Sequence, residues 1–201
     1  MNKQSLVYTM VFTFLVSFVF VLFLSFAHQT TEPLVEHHRE LARQRAVLAA
    51  MGIEATEEEE VRRRFADVEQ IEQEGMTLFR SEVDDRTVYA KEFSGAGLWG
   101  PIRGILAVTS DLERTIGIEI TDQNETPGLG GRITERWFKA QFSGQRIVDG
   151  TIRMGPPGEG TENKDDGIVD SITGATRTSE SIGGIVDREL ERFATALGES
   201  L

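Results

Sequence analysis

The sequence predicts an α+β protein in which a single N-terminal transmembrane helix precedes a mainly antiparallel sheet packed with helices. Three observations support this fold class. An uncharged apolar run opens the chain, strand-like alternation appears in its middle, and an amphipathic helical pattern lies near its end. We expect residues 1–5 to form a cytoplasmic N-terminus, 6–27 a membrane anchor, 28–84 a helical membrane-proximal region and 85–201 a globular domain.

Composition excludes several functional classes. The 201 residues suffice for one domain of moderate size with accessory segments. The 33 acidic residues outnumber the 21 basic ones, and the resulting net charge of −12 argues against a nucleic-acid partner. The chain has no cysteine. Disulfides, thiolate-bound clusters and thiol catalysis are therefore excluded for this sequence.

The apolar run from Leu6 to Ala27 contains no charged residue. About 20 such residues are enough to cross a bilayer as a helix. The alternative is a cleaved signal peptide, with Ser25-Phe26-Ala27 as the cleavage site. The run is longer than the core of about 7–15 residues expected of a signal peptide, which favours an uncleaved anchor.

Two helices are predicted after the anchor. Pro33 is expected to break the chain, and the pattern over 34–51 favours a helix that Gly52 ends. The sequence Thr56-Glu57-Glu58-Glu59 matches a capping box for the next helix. Its apolar stripe consists of Val61, Phe65, Val68 and Ile71. Neighbouring His37 and His38 point away from each other on a helix, so no metal pair is predicted there.

Apolar and polar residues alternate in the central part of the chain, as they do in β-strands. Residues 87–93, 102–109 and 115–120 are rich in β-branched side chains, and the turn 110–113 favours an antiparallel hairpin. Three further local predictions follow along the chain: a helix over 134–142 that buries Trp137 and Phe138, a flexible turn over 155–160, and a short strand at Ile168-Val169.

Hydroxyl side chains cluster where the last helix is predicted to begin. The stretch 170–179 reads Asp-Ser-Ile-Thr-Gly-Ala-Thr-Arg-Thr-Ser, and an amphipathic helix is expected from about Ser179 to Leu197, with Gly198 as its stop signal. Free N–H groups and the helix dipole favour a phosphate at such a position. The alternative is that Thr178 or Ser179 only caps the helix. Side-chain chemistry does not choose between Thr173, Thr176 and Thr178.

The spacing Asp170-x-x-Thr173-Gly174-Ala175-Thr176-x-Thr178 resembles the flavinylation motif of the FMN-binding domain family. This family includes the C subunit of the sodium-pumping NADH:quinone oxidoreductase and the G subunit of the related Rnf complex. The resemblance implies that Thr178 carries FMN through a phosphoester, attached by a dedicated flavin transferase. The small Gly174 and Ala175 would give the transferase access. Asp170 would either position that complex or cap the turn.

Two glycine-rich loops carry further candidates. By composition, Glu125-Thr126-Pro127-Gly128-Leu129-Gly130 is a tight surface turn. It resembles the second signature of the same family, which implies that Glu125, Thr126 and Leu129 lie near the isoalloxazine ring. The loop 95–100 contains Trp99, which is either a core anchor or a site residue, since Gly-Leu-Trp before a strand resembles the C subunit of the oxidoreductase.

No catalytic constellation is recognisable in the sequence. The predicted globular domain has no histidine, so a Ser-His-Asp arrangement is excluded, and no glycine fingerprint for NADH is present. The resemblance therefore implies an electron-relaying subunit of an Nqr-type or Rnf-type oxidoreductase, with covalent FMN as cofactor. Its partners would be other membrane subunits, the lipid bilayer and, during maturation, the transferase. A stand-alone membrane-anchored flavin carrier and a binding domain without flavin remain alternatives.

Two observations predict opposite sides of the membrane for the globular domain. Lys3 precedes the anchor, whereas Arg39, Arg43 and Arg45 follow it, and a literal charge count puts the domain in the cytoplasm. The family resemblance implies the extracytoplasmic face of the inner membrane. The arginines alternate with glutamates and begin well beyond the anchor, so we follow the resemblance.

Overall fold

The computed structural model describes residues 6–158, 160 and 162–198. The chain divides after Ala42 into two compact units. Its helices are α1 (Leu6–Ala50), α2 (Glu58–Ala66), α3 (Arg136–Gln141) and α4 (Thr176–Leu197). Its strands are β1 (Glu69–Gln73), β2 (Met76–Val83), β3 (Arg86–Ala96), β4 (Pro101–Thr109), β5 (Thr115–Asp122), β6 (Arg153–Pro157) and β7 (Ile168–Ser171), and a 3₁₀ helix covers Gly130–Thr134.

The first unit contains the candidate membrane span. Leu6–Gln29 comprises 24 helical residues with apolar side chains exposed all round. At 1.5 Å per residue this segment is about 36 Å long, which exceeds the roughly 30 Å hydrocarbon core of a bilayer. Length and composition thus suit a single membrane-spanning helix.

The expected break at Pro33 is wrong, because α1 continues through this position to Ala50. A proline removes one hydrogen bond from a helix. The helical ladder on both sides is long enough to maintain the helix across that loss. The predicted end is confirmed, since Gly52 follows the helix with a φ of +78°.

The second unit is built on a five-stranded antiparallel sheet in the order β1-β2-β3-β4-β5. The predicted central strands and the hairpin between β4 and β5 are confirmed. β4 is buried on both faces: Leu106 and Val108 face one core, whereas Ile105 and Ala107 face the other. This alternation follows from the two-residue period of a strand.

Helices cover both faces of the sheet. On one face, Val47, Ala50 and Met51 from the end of α1 pack with Phe79 and Ile105. On the other face, α3 and α4 supply the large buried side chains, with Phe138 and Phe193 among them. The predicted burial of Trp137 is only partial, since this ring lies at the margin of the second core.

The helical prediction for residues 28–84 is wrong in its last part. The second helix ends at Ala66, and its N-cap residue Glu57 makes no side-chain capping bond, so the predicted capping box does not form. Ile71 lies in β1, which pairs with β2 through a tight turn at Glu74-Gly75. Both turn residues have positive φ, the geometry that two-residue hairpins require.

The flexible turn predicted over 155–160 is wrong for residues 155–157, whereas residues 158 and 160 lie outside any strand and residue 159 lies outside the described residues. Residues 153–157 form β6, which pairs in parallel with β7. Residues 153–157 lie far from 168–171 in sequence, so local composition could not reveal this pairing. The strand predicted at Ile168-Val169 is confirmed and runs on to Ser171. It leads directly into the hydroxyl-rich turn before α4.

Candidate functional site

The candidate site forms where three loops meet. One is the turn 97–100 between β3 and β4, closed by a 2.8 Å bond from the Gly97 N–H to the Gly100 carbonyl. The second is the segment after β5 that begins at Gln123, and the third is the turn between β7 and α4. The antiparallel register of the sheet places the first two on neighbouring strand ends.

Thr178 and Glu125 are in direct contact. The Thr178 hydroxyl donates a hydrogen bond of 2.6 Å to Glu125 Oε2. Both residues are buried, with Thr178 2% exposed and Glu125 4% exposed. Two predicted site residues from separate signatures are therefore brought together inside the protein.

The Glu125 carboxylate has two further donors. The backbone N–H groups of Leu98 and Trp99 both donate to Oε1, at 2.8 and 3.0 Å. A buried carboxylate is stabilised when it accepts several such bonds. Glu125 thus ties the 97–100 turn to the first turns of α4. Sequence reasoning missed the role of the Leu98 amide, because backbone donors leave no compositional signal.

Two glycines allow this close approach. A Cβ atom on Gly97 would lie 2.5 Å from Glu125 Oε1, and one on Gly130 would lie 2.5 Å from Thr178 Oγ1. Real Cβ atoms do not approach polar atoms this closely. The density of glycine on both loops was the sequence signal for the site, although it did not identify which polar groups they cover.

The final helix begins earlier than predicted. α4 starts at Thr176 after the N-cap residue Ala175, so Thr178 lies inside its first turn. Neither Thr178 nor Ser179 acts as the N-cap, which excludes the simple capping role. Ser179 instead accepts the Ile172 N–H and donates to the Ala175 carbonyl. Side chains in a helix tilt towards its N-terminus, so Thr178 projects towards the free N–H groups of that turn.

The other predicted hydroxyls lie in different surroundings. Thr173 and Thr176 are exposed. Gly174 has a φ of +76°, which suits a residue without a side chain. Thr126 is exposed, and its carbonyl accepts the N–H groups of Leu129 and Gly131, so its backbone shapes the turn.

Asp170 bonds a different segment from the Thr178–Glu125 pair. Its Oδ2 accepts the Gly160 N–H at 3.2 Å, and its backbone bonds the Gln141 side chain. A Cβ on Gly158 would collide with the same carboxylate oxygen. The described contacts therefore tie Asp170 to the 158–160 segment rather than to the hydroxyl cluster.

Exposed apolar side chains lie on the loops that hold the buried pair. Trp99 is 70% exposed, and Leu98 and Leu129 are also exposed. Leu129 lies against the hydroxyl-rich turn, since a Cβ on Gly174 would lie 3.2 Å from its Cδ2 atom. Trp99 is thus not a core anchor. Large apolar groups exposed beside a buried polar pair are typical of a ligand site.

The part of the chain that contains these residues is similar to known proteins. Residues 97–191 match the family model described as FMN-binding domain. The C subunit of the Na(+)-translocating NADH-quinone reductase of Pasteurella multocida is 32% identical over 123 residues, which cover 61% of this chain and 44% of that protein. The corresponding protein of Chlamydia pneumoniae is 35% identical over 108 residues, covering 51% of this chain and 34% of its own length. The chain therefore spans less than half the length of these relatives.

Solved structures show the same fold. The crystal structure of the corresponding reductase protein from Parabacteroides distasonis superposes with a TM-score of 0.67 at 22% identity, covering 84% of this chain and 97% of that one. The Shewanella oneidensis NqrC structure gives a TM-score of 0.66 at 22% identity, with 77% and 94% covered. Residues 97–191, which contain both loops and the Thr178–Glu125 pair, match the family model of the FMN-binding domain.

Proposed function

We propose that this chain is a membrane-anchored flavoprotein that carries FMN as a phosphoester on Thr178 and relays electrons within a sodium-translocating NADH:quinone oxidoreductase or a related Rnf-type complex. The observation that carries the proposal is the buried Thr178 hydroxyl on the Glu125 carboxylate, bordered by exposed Leu98, Trp99 and Leu129. These residues lie within the segment that matches the FMN-binding domain.

The residues of the site suit the chemical parts of FMN. The apolar side chains of Leu98, Trp99 and Leu129 offer a surface for the planar ring. Thr178 supplies the hydroxyl for the ester, and its position in the first turn of α4 directs an attached phosphate towards free backbone N–H groups. When bound, FMN supplies one- and two-electron redox chemistry, which no side chain of this site has.

A covalent link would hold the flavin at a site whose flanking side chains do not enclose it. The flanking side chains are exposed rather than arranged as a cavity. A ligand tethered at Thr178 has a high effective concentration at this surface, so it remains bound in every redox state. An exposed ring also remains accessible to an electron donor and an acceptor.

The proposal also includes the location of the domain at the membrane and its protein partners. The helix beginning at Leu6 would hold the domain at the inner membrane, with the flavin on the extracytoplasmic face. The relatives that match are named as subunits of an NADH-quinone reductase, which supports other membrane subunits of such a complex as partners. A flavin transferase would attach the FMN.

Denaturing electrophoresis tests the cofactor assignment. The full chain is expressed with a flavin transferase, and the gel is inspected for flavin fluorescence, which survives only when the flavin is covalent. We expect a fluorescent band and an intact mass increased by FMN less one water. Thr178→Ala should abolish both, whereas the control Thr195→Ala, at an exposed threonine of α4 outside the motif, should retain them. An unmodified wild-type chain would refute the proposal.

Affinity purification from detergent-solubilised membranes tests the complex. We expect multispanning membrane subunits to co-purify with the tagged chain. Recovery of the flavinylated chain alone would instead favour a stand-alone carrier. Protease accessibility in spheroplasts tests the side of the membrane, because an extracytoplasmic domain is digested without lysis.

A further inference from the structure

The hydroxyls near the start of α4 differ in what lies next to them. Ser171 donates to the Gly155 carbonyl, and Ser179 bonds only backbone groups. Thr173 and Thr176 are exposed. Thr178 alone among these residues donates its proton to a carboxylate. The surroundings therefore distinguish hydroxyls that are chemically alike.

We propose that Glu125 is the proton acceptor that selects Thr178 and activates it for attachment of the flavin. This inference rests on the proposed function. It assigns to Glu125 a chemical role in forming the ester, in addition to any contact with the flavin ring. Glu125 touches the reacting hydroxyl and is in this sense a catalytic residue contributed by the acceptor protein.

The geometry meets the requirement for a general base. The distance of 2.6 Å from Thr178 Oγ1 to Glu125 Oε2 is within the range for direct proton transfer. The other carboxylate oxygen is held by the N–H groups of Leu98 and Trp99. Because these two bonds fix the carboxylate, Oε2 remains aimed at the hydroxyl without a further ordering step.

The transfer needs an activated flavin donor. Esterification of an alcohol by a phosphate monoester is unfavourable in water, and a flavin dinucleotide with a phosphoanhydride bond supplies the missing driving force. Thr178 Oγ1 forms a bond to the flavin-side phosphorus, the bond from that phosphorus to the bridging oxygen breaks, and the nucleoside monophosphate leaves. The Thr178 proton passes to Glu125 Oε2.

A protonated Glu125 also avoids charge repulsion with the esterified Thr178. The new phosphodiester would carry a negative charge on the side chain that Glu125 contacts, and two neighbouring anions in a buried site repel each other strongly. A neutral carboxylic acid removes the repulsion and can donate a hydrogen bond to a phosphate oxygen. The same residue thus serves the reaction and the modified state.

The flavin donor can reach the Thr178 hydroxyl only after a local movement of the protein. Thr178 is 2% exposed, and the Gly130 backbone lies so close that a Cβ there would be 2.5 Å from its hydroxyl oxygen. The phosphorus can therefore reach Oγ1 only when neighbouring atoms move, and the Gly130 segment lies among these neighbours. Glu125 remains anchored to the other loop through Leu98 and Trp99, so the base stays in place during this movement.

The test is the initial rate of flavin transfer to the full chain in detergent, measured with purified transferase and flavin dinucleotide. Glu125→Gln keeps the size of the side chain and an oxygen for the two N–H donors, but it cannot take the proton. We expect its kcat to fall by at least about 100-fold with little change in KM. Thr195→Ala, which changes an exposed threonine of α4 outside the motif, is the control and should react as the wild type does.

A second variant separates chemistry from packing. Glu125→Asp retains a carboxylate, although a shorter one, and should transfer faster than Glu125→Gln. Thermal unfolding before modification identifies any variant that fails to fold, and peptide mass spectrometry identifies the modified residue. A wild-type kcat in Glu125→Gln, or an aspartate variant no faster than the glutamine one, overturns the role of Glu125. Wild-type chain that is not modified at Thr178 refutes the proposed function itself.

Discussion

The Thr178 hydroxyl and the Glu125 carboxylate form a buried hydrogen bond of 2.6 Å across 53 positions of sequence. One residue lies in the first turn of α4 and the other in the segment after β5. The bond brings the two signature motifs into one site and supports both proposals. Substitutions at this site and in the scaffold that holds it should have distinct, measurable effects.

Gly130→Ala should disrupt the pair. Its Cβ would lie 2.5 Å from Thr178 Oγ1 and 2.9 Å from Glu125 Oε2. We expect a loss of about 1–3 kcal/mol in the free energy of unfolding, because the inserted methyl group displaces packed atoms, and a slower flavin transfer. Urea denaturation and transfer rates measure the two effects. Unchanged values in both would show that the loop adapts freely.

The two tryptophans should respond in opposite ways. Trp99 is 70% exposed, so Trp99→Ala should change the free energy of unfolding by less than about 0.5 kcal/mol. In the flavinylated chain it should increase flavin fluorescence, because a nearby indole quenches the ring. Trp137 packs edge-on against Phe138. The control Trp137→Phe should lower stability and leave flavin fluorescence unchanged, and equal fluorescence in wild type and Trp99→Ala would remove Trp99 from the site.

Gly183 and Gly184 are adjacent in α4 but have different surroundings, so their alanine variants can be compared directly. A Cβ on Gly184 would make only an ordinary contact with Arg188, at 3.7 Å, whereas one on Gly183 would lie 2.7 Å from Met154 Cγ. Gly184→Ala should raise the free energy of unfolding by about 1 kcal/mol through helix propensity. Gly183→Ala should be the less stable variant by at least about 1 kcal/mol because of overpacking. Chemical denaturation compares them, and equal stabilities would contradict the packing against Met154.

A buried ion pair joins the sheet to α4. Lys91 Nζ lies 2.6 Å from Glu189 Oε2, and both side chains are largely shielded from solvent. Glu189→Leu would leave the lysine charge without its carboxylate, and we expect a loss of about 3–5 kcal/mol. Adding Lys91→Met should recover most of this loss. Calorimetry or denaturation measures both, and a double variant no more stable than the single one would indicate a different cause.

The more exposed partner of the same carboxylate provides the control. Arg192 also contacts Glu189, at 2.7 Å, but its side chain is mostly in solvent. Arg192→Ala should therefore cost less than about 1 kcal/mol.

Asp187 should make stability depend on pH. Burial raises the pKa of this carboxyl above its unfolded value of 3.8, and the nearby Glu191 charge raises it further. The hydrogen bond from the Ile152 N–H and the Arg188 charge lower it, but the net shift is upward. The folded chain thus holds this proton more tightly than the unfolded chain does, and stability falls as the pH rises from 3.8 through the folded pKa. Asp187→Asn keeps an acceptor for Ile152 and should be more stable than wild type at pH 7.

Thermal unfolding at two pH values measures this effect. Well below pH 3.8 the wild-type carboxyl is protonated in both the folded and the unfolded chain, so the asparagine variant should lose its advantage there. An advantage of the same size at both pH values would show that charge is not its cause.

Local sequence patterns were sufficient to predict much of the fold. The three central strands were predicted because β-branched residues alternate over 87–93, 102–109 and 115–120. The end of the first long helix at Gly52 was also correct, since a glycine with positive φ is a local signal. Ile71 was misassigned to a helix because it follows Val68 by three residues, which is a helical spacing, and only pairing with β2 makes it a strand residue.

The sequence by itself determined the apolar span, the alternation of the central strands and the two motifs in which the candidate residues occur, because each depends on neighbours within a few positions. Only the tertiary structure decided that the Thr178 hydroxyl meets a carboxylate, that Trp99 is exposed and that β6 pairs with β7. These features depend on contacts between residues distant in sequence, and such contacts exist only once the sheet and α4 have packed together.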